Sequence, residues 1–456
     1  MSPDDLTFPP GFIWGVATSA YQIEGASRAD GRGTSIWDTF VKRPAAVHGG
    51  DTGEAATDHY ARFREDVALM AALGIRMYRF SVAWPRVIPD GRGPVNERGL
   101  DFYQRLVDAL LEAGIEPMAA LYHWDLPQTL EDAGGWPARG TALAFAEYAS
   151  AVFDALRDRV RWWITLNEPW CSAFLGYATG VHAPGVRDPA RAVAAVHHLL
   201  LAHGLATRAM RAADMDARLG IALNVAPVRY FAEPDALLED ARRRVDGLRN
   251  RIFLDPLLSA SYPTDVLADL ASFGGLPIQD GDLAAIGEPL DWLGVNYYND
   301  LILEPAAGET ALSQLYPGVT AVREVVVGEL TDMGWPITPE GLFDLLTEIR
   351  RRYPGAPRLV VTENGAAYDD PVGRDGVIHD DRRIAYLDAH LRALHRAIRA
   401  GTAVDGYFVW TLLDNFEWAE GYSKRFGLVH VDRATQRRTP RLSASWYQGV
   451  IRRNGL

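Results

Sequence analysis

Cysteine is almost absent from this sequence. Cys171 is the only one in 456 residues, so no intrachain disulfide can form and no cysteine-rich metal site exists. It stands among small and bulky apolar neighbours in Pro169-Trp170-Cys171-Ser172-Ala173 and reads as a buried structural thiol rather than a nucleophile. No run of about 18 apolar residues occurs, so no segment reads as a membrane-spanning helix. The acidic start, Met1-Ser2-Pro3-Asp4-Asp5, is followed by no apolar stretch and lacks the pattern of a secretory leader; a cytoplasmic location is expected. Positive charge is in deficit, with 46 Lys and Arg against 59 Asp and Glu, a net −13. That balance argues against nucleic acid or an anionic membrane as a partner. No low-complexity segment and no Pro/Ser/Gly linker divides the chain, so residues 1–456 are expected to form one domain.

What is present is apolar and aromatic. Hydrophobic residues make up 48%, with 13 Trp and 18 Tyr, enough for a large core and for flat rings lining a site. Eight short strand-like runs recur: Phe12–Thr18, Ile75–Val82, Pro117–Tyr122, Trp162–Leu166, Ile221–Val225, Trp292–Tyr297, Leu359–Thr362 and Tyr407–Leu412. Several are nearly continuous in apolar residues, as parallel strands covered on both faces are. Helical patterns alternate with them. Asp58–Leu73 carries Tyr60, Phe63, Val67, Met70 and Ala71, and stops at Gly74. Gly99–Ala113 carries Leu100, Tyr103, Leu106, Val107, Leu110 and Leu111, and stops at Gly114. Val193–Met210 and Asp381–Ile398 read the same way. Strand and helix alternating eight times predict a (β/α)8 TIM barrel. A doubly wound open sheet is weakened by the lack of a Gly-x-Gly-x-x-Gly turn after the first strand. The long connections Ala26–Asp58, Trp124–Thr141 and Glu304–Ile337 are expected to wall a pocket.

Two strings place a carboxyl at the end of such a run: Thr165-Leu166-Asn167-Glu168-Pro169 and Val361-Thr362-Glu363-Asn364-Gly365. Alone, either Glu is equally well a solvated loop residue. Together, at the rim where barrel enzymes act, they match the pair that cleaves a glycosidic bond with retention, one as acid and base, the other as nucleophile. The other strand ends supply Gln22, Arg79, His123-Trp124-Asp125, Asn224, Asn296-Tyr297-Tyr298, Trp410 and Asp414-Asn415-Phe416-Glu417-Trp418. These side chains hydrogen-bond hydroxyls and stack on sugar rings.

These motifs, with Phe12-Ile13-Trp14-Gly15-Val16-Ala17-Thr18-Ser19-Ala20-Tyr21-Gln22-Ile23-Glu24-Gly25 and the Trp410–Phe426 stretch, resemble glycoside hydrolase family 1, the β-glucosidase family, over essentially the whole chain. The resemblance implies Glu168 as acid/base and Glu363 as nucleophile, with their carboxyls about 5–5.5 Å apart. It implies Arg79 beside the nucleophile, although an Arg in a structural ion pair remains an alternative. Asn167 is implied to bond the sugar 2-hydroxyl; Gln22, His123, Glu417 and Trp418 the remaining hydroxyls; Trp410 the stacking floor; and Tyr298 the nucleophile and ring oxygen. The resemblance further implies that Asn296, Trp124 and Phe426 support the site and that Trp335 and Asn224 reach the aglycone side. His123 could equally be a satisfied core histidine, but Trp124 and Asp125 beside it fit the family's strand-end motif.

Glu417, Trp418 and Phe426 argue against the relatives that act on 6-phosphorylated glycosides, since a carboxylate repels a phosphate dianion. Lys424 stands where those relatives bind phosphate, yet its surrounding run also occurs in ordinary β-glucosidases. Glu168 excludes the thioglucosidase variant, whose acid is a Gln. The expected activity is that of a retaining exo-β-glucosidase on β-glucosides and cello-oligosaccharides. A broader β-galactosidase, β-fucosidase or transglycosylase activity at the same site is the alternative, and a sugar-binding barrel without catalysis is a more distant one. No metal and no organic cofactor is expected: the one close His pair, His197-His198, lies on a helical run where adjacent side chains diverge.

Overall fold

The computed structural model describes residues 6–374 and 376–456. Eight strands close a barrel: β1 (Ile13–Ala17), β2 (Met77–Ser81), β3 (Glu116–Ala120), β4 (Trp162–Asn167), β5 (Arg218–Asn224), β6 (Trp292–Asn296), β7 (Arg358–Asn364) and β8 (Val404–Trp410). Each pairs in parallel with its sequence neighbour, and β8 closes on β1 with Ala17 opposite Trp410. The (β/α)8 expectation therefore holds, and the open sheet is excluded by the β1–β8 pairing.

The strands are mostly apolar because both of their faces are covered, with polar residues gathered toward their ends and at Arg79. Residues of β2, β4 and β6 are buried throughout. Inside the barrel, Met77, Met118, Trp162, Ile164, Trp292, Val360 and Phe408 pack on one another. Large rings fit there only because glycines face them. A Cβ on Gly15 would lie 2.3 Å from the Phe408 ring, and one on Gly220 would lie 2.6 Å from Trp292, closer than packed atoms approach. Outside, helices cover the strands: α1 (His59–Ala72), α2 (Glu97–Glu112), α3 (Arg139–Leu156), α4 (Pro189–Ala213), α5 (Ile252–Ser259), α6 (Pro339–Arg352), α7 (Asp381–Arg399) and α8 (Leu442–Arg453). In α2, Leu100, Tyr103, Leu106, Val107 and Leu110 are buried, as their spacing predicts, whereas Leu111 lies at the edge of the stripe and is exposed. Gly114, at φ +73°, takes the left-handed turn that ends it. α4 begins earlier than its apolar spacing suggests, because Asp188 accepts hydrogen bonds from the Ala190 and Arg191 amides and caps it.

Two strand ends differ from expectation in ways that matter to the site. β7 runs on past Thr362 through Glu363 and Asn364, so Glu363 is a strand residue. The polar end stays in the sheet because its side chains are satisfied at the barrel mouth; the Tyr407 hydroxyl, for one, donates to Asn364 Oδ1 at 2.6 Å. β8 begins three residues earlier and ends two earlier than predicted. Nor is the connection Glu304–Ile337 unstructured. Leu301–Pro305 and Val322–Glu324 join Val228–Tyr230 from the preceding connection in a small three-stranded sheet, which stands beside the C-terminal rim.

Candidate active site

A cavity of about 510 Å³ lies at that rim, with Glu168 and Glu363 in its wall. Glu168 is the first residue after β4. The β4–β5 register shifts between Ile164 and Asn167, and Glu168 takes a left-handed backbone at φ +48°, which turns its side chain out of the strand's alternation. Such a conformation costs a non-glycine residue of order 1–3 kcal/mol. Trp124 (φ +75°) and Trp418 (φ +48°), in the same wall, share it. Glu363 sits where the β7–β6 register shifts after Val361. Both carboxyls are buried, at 6% and 3% exposure.

Their partners differ in kind. The Arg79 guanidinium, fully buried at the middle of β2, donates to Glu363 Oε1, and the Tyr298 hydroxyl donates to Oε2 at 2.6 Å. Both donors suit a charged acceptor. Arg79 Nη2 also donates to Asn167 Oδ1 at 2.5 Å. Among the described residues, no cation pairs with Glu168, whose hydrogen-bond donors are neutral. Asn296 Nδ2 donates to its Oε1 at 2.6 Å and to Asn167 Oδ1 at 3.0 Å, and the Cys171 thiol donates to its Oε2 at 3.0 Å. Burial first, and the charge of Glu363 second, push Glu168 up to about 7, against the opposing pull of the Cys171 and Asn296 donors. One carboxyl is thus set up to hold a proton near neutral pH, while its neighbour sits on an arginine.

Around this pair, His123 bonds through Nε2 to Asn167 Nδ2 at 3.1 Å. Burial, and then the Arg79 charge, push the His123 pKa well below its ordinary value, so the ring is neutral. It stacks near Trp410 and Trp418, with centroids 5.7 and 5.8 Å away. Glu417 is raised to about 8 by burial and by both other carboxylates. Gln22 reaches it at 3.4 Å and is otherwise occupied by Phe416 O and Asn415 Oδ1. Trp124 donates through Nε1 to Asn167 O at 3.0 Å. Tyr298, Trp335 and Phe426 form an aromatic corner with centroids 5.2–6.2 Å apart. Asn224, the last residue of β5, donates to the Cys171 sulfur at 3.3 Å.

The fold and this geometry agree with a family model for glycosyl hydrolase family 1, which matches residues 4–456. The chain belongs to glycosyl hydrolase family 1. This family 1 chain is 56% identical over 453 residues to thermostable β-glucosidase B of Thermobispora bispora, covering 99% of this chain and 92% of that one. It is 46% identical to a bifunctional β-D-glucosidase/β-D-fucosidase of Bifidobacterium breve, covering 98% of each. The crystal structure of a psychrophilic β-glucosidase from Micrococcus antarcticus superposes with a TM-score of 0.95 at 48% identity, covering 98% of each chain.

Of the residues predicted for the family 1 site, His123, Trp124, Glu168, Asn224, Asn296, Tyr298, Trp335, Glu363, Trp410, Glu417, Trp418 and Phe426 line the cavity. Gln22, Arg79 and Asn167 lie behind that wall and touch residues in it. Lys424 is outside it, donating to Asp332 O at 2.7 Å. The His pair is engaged elsewhere: His197 contacts Asp282 and Tyr262, and His198 contacts Trp136 O.

Four further residues line the cavity without having been expected there: Cys171, Arg249, Tyr316 and Glu324. Cys171 is buried as expected, and its thiol contacts Glu168. Arg249 lies over the Trp170 ring at 4.0 Å and lines the cavity with Tyr316 and Glu324. Cys171 and Arg249 sit on the π-helical segments Cys171–Ala178 and Gly247–Arg251. Such widened turns leave no periodic signal in sequence, and they recur at functional sites.

Proposed function

We propose that this protein is a retaining exo-β-glucosidase that removes terminal non-reducing β-D-glucosyl units from β-glucosides and cello-oligosaccharides, the whole chain acting as one catalytic unit in the cytoplasm. The observation that carries the reading is the asymmetry of the two buried carboxyls, Glu363 on Arg79 and Tyr298, and Glu168 raised to about 7. Among the described residues, no helix is long and apolar enough to cross a membrane.

In the first step Glu363 attacks the anomeric carbon while Glu168 gives its proton to the departing glycosidic oxygen; the C–O bond to the aglycone breaks and a glycosyl–Glu363 ester forms. Loss of that proton leaves Glu168 as a carboxylate. It then takes a proton from water, whose oxygen attacks the same carbon and releases β-glucose and the Glu363 carboxylate. Asn167, held by Arg79 and Asn296, faces the 2-hydroxyl. Gln22, His123, Glu417 and Trp418 take the other hydroxyls, over Trp410. Tyr298 serves the nucleophile and the ring oxygen. Trp335 and Asn224 meet the aglycone. A broader β-glycosidase activity, extending to fucosides, is the second reading, supported by the bifunctional Bifidobacterium breve relative.

The test is hydrolysis of p-nitrophenyl β-glucoside followed by NMR, with wild type, Glu168→Gln and Glu363→Ala. The reading requires β-glucose as the first product, loss of turnover in both variants, and rescue of Glu363→Ala by azide to give the α-glycosyl azide. First release of α-glucose would show inversion and overturn it.

A further inference from the structure

Cys171 opens the π-helical segment three residues after Glu168, and its side chain turns back onto that carboxyl. Its sulfur lies 3.0 Å from Oε2, while Asn224 Nδ2 donates to the sulfur at 3.3 Å. A thiol has one hydrogen to give. With a sulfur lone pair taken by Asn224, that hydrogen points to Oε2. The other carboxyl oxygen, Oε1, accepts from Asn296. Both oxygens of Glu168 are therefore held, from β6 on one side and from the π-helical segment on the other. Burial, and then the Glu168 charge, push the thiol's pKa well above its ordinary value, so it stays a protonated donor.

We propose that Cys171 is a positioning residue for Glu168: its thiol, oriented by Asn224, donates to Oε2 of the ionised carboxyl and yields that oxygen to the proton of the acid form. The proposal rests on Glu168 being the acid/base. Because Asn296 occupies Oε1, the acid's proton resides on Oε2. When the O–H bond breaks, the electron pair stays on Oε2, the proton goes to the aglycone oxygen, and the S–H bond turns to the new negative charge. Sulfur neither gains nor loses a proton at any stage. Glu168 is also faced by the charges of Glu363 from β7 and Arg249 from Gly247–Arg251, by the Tyr298 hydroxyl beyond β6, and by Glu417 beyond β8. None of these is bonded to the thiol, so its removal leaves them in place.

A hydrogen bond to the charged form lowers a carboxyl's pKa. The test is therefore the pH dependence of kcat/KM on cellobiose, whose leaving group needs the proton, for wild type, Cys171→Val and Cys171→Ser. Valine removes the donor at similar volume and serine keeps one. The basic limb should move up by about half a pH unit or more in the valine variant and by no more than about 0.2 in the serine variant. An unmoved limb in valine, or equal shifts in both, overturns the proposal. A second measurement needs no cysteine variant. With one thiol in the chain, the infrared S–H stretching band of the wild type reports this group alone. It should shift with a midpoint at the basic limb and become insensitive to pH in Glu168→Gln; a band indifferent to pH in the wild type overturns the proposal. Retention with p-nitrophenyl β-glucoside is measured separately, so failure here leaves the two-carboxyl reading standing.

Discussion

Asn296 ties the two halves of the site together: its Nδ2 donates to Glu168 Oε1 at 2.6 Å, and its Oδ1 accepts the hydroxyl of Thr362, the residue before Glu363, at 2.6 Å. One amide at the end of β6 thus fixes the carboxyl that follows β4 relative to the strand that carries the other. Asn296→Ala should lower kcat/KM by about 10²-fold, the scale of a misplaced reacting group. It should also shift the basic limb upward, since a donor to the charged form is lost. Steady-state kinetics across pH check both effects; a change of less than threefold would mean that the tie is dispensable.

Arg79 and Glu363 form a buried ion pair, at 0% and 4% side-chain exposure. Removing one partner of such a pair strands a buried charge, at a cost of about 3–5 kcal/mol. Arg79→Met should lose that much stability in denaturant unfolding at pH 7. Adding Glu363→Gln should restore a large part of it, because the stranded charge is then gone. Equal stability of the two variants would contradict the pairing. Arg79→Lys keeps a charge but cannot bridge Glu363 and Asn167 together as a planar fork does, and activity should fall despite a near-normal fold.

Stability and pH are linked through the raised carboxyls. Glu168 and Glu417 are lifted from an ordinary 4.5 to about 7 and about 8. A raised folded-state value means that the folded chain holds protons the unfolded chain has released. The contribution is therefore complete below about pH 4.5 and is lost as pH rises through 7 and 8. Glu417→Gln, neutral at every pH, should melt progressively higher than wild type as pH rises from 5 to 9. A melting difference that stays constant over this range would contradict the assignment.

Trp335 lines the cavity next to Tyr298 and Phe426 and is only partly buried. On the aglycone reading, Trp335→Ala should raise KM for aryl β-glucosides by about tenfold with a smaller change in kcat, because the lost stacking is binding common to ground and transition states. A fall in kcat without a change in KM would place the ring at the reacting sugar instead.

The barrel was legible because eight covered strands leave eight apolar runs, and α1 and α2 announce themselves by stripe and terminal glycine. Glu168 and Glu363 were legible because each is a charge at the end of such a run. What the sequence hid depends on widened turns and register shifts. A π-helical segment turns Cys171 onto Glu168, and another brings Arg249 over Trp170; neither has a repeat to read. β7 runs two residues past its expected end because Glu363 and Asn364 look like a loop, and only partners at the barrel mouth, such as Tyr297 O for Asn364, keep them in the sheet. The accessory sheet was missed because its three strands come from two connections.

The central claim is that Glu363 becomes covalently bonded to the sugar. Incubation with 2-deoxy-2-fluoro-β-glucosyl fluoride, whose fluorine slows breakdown of the intermediate more than its formation, followed by mass spectrometry of the intact and digested protein, tests it directly. The account predicts stoichiometric addition of one fluoroglucosyl group, located on Glu363 and absent from Glu363→Ala. Addition at any other residue, or none while the wild type still hydrolyses p-nitrophenyl β-glucoside, would contradict it.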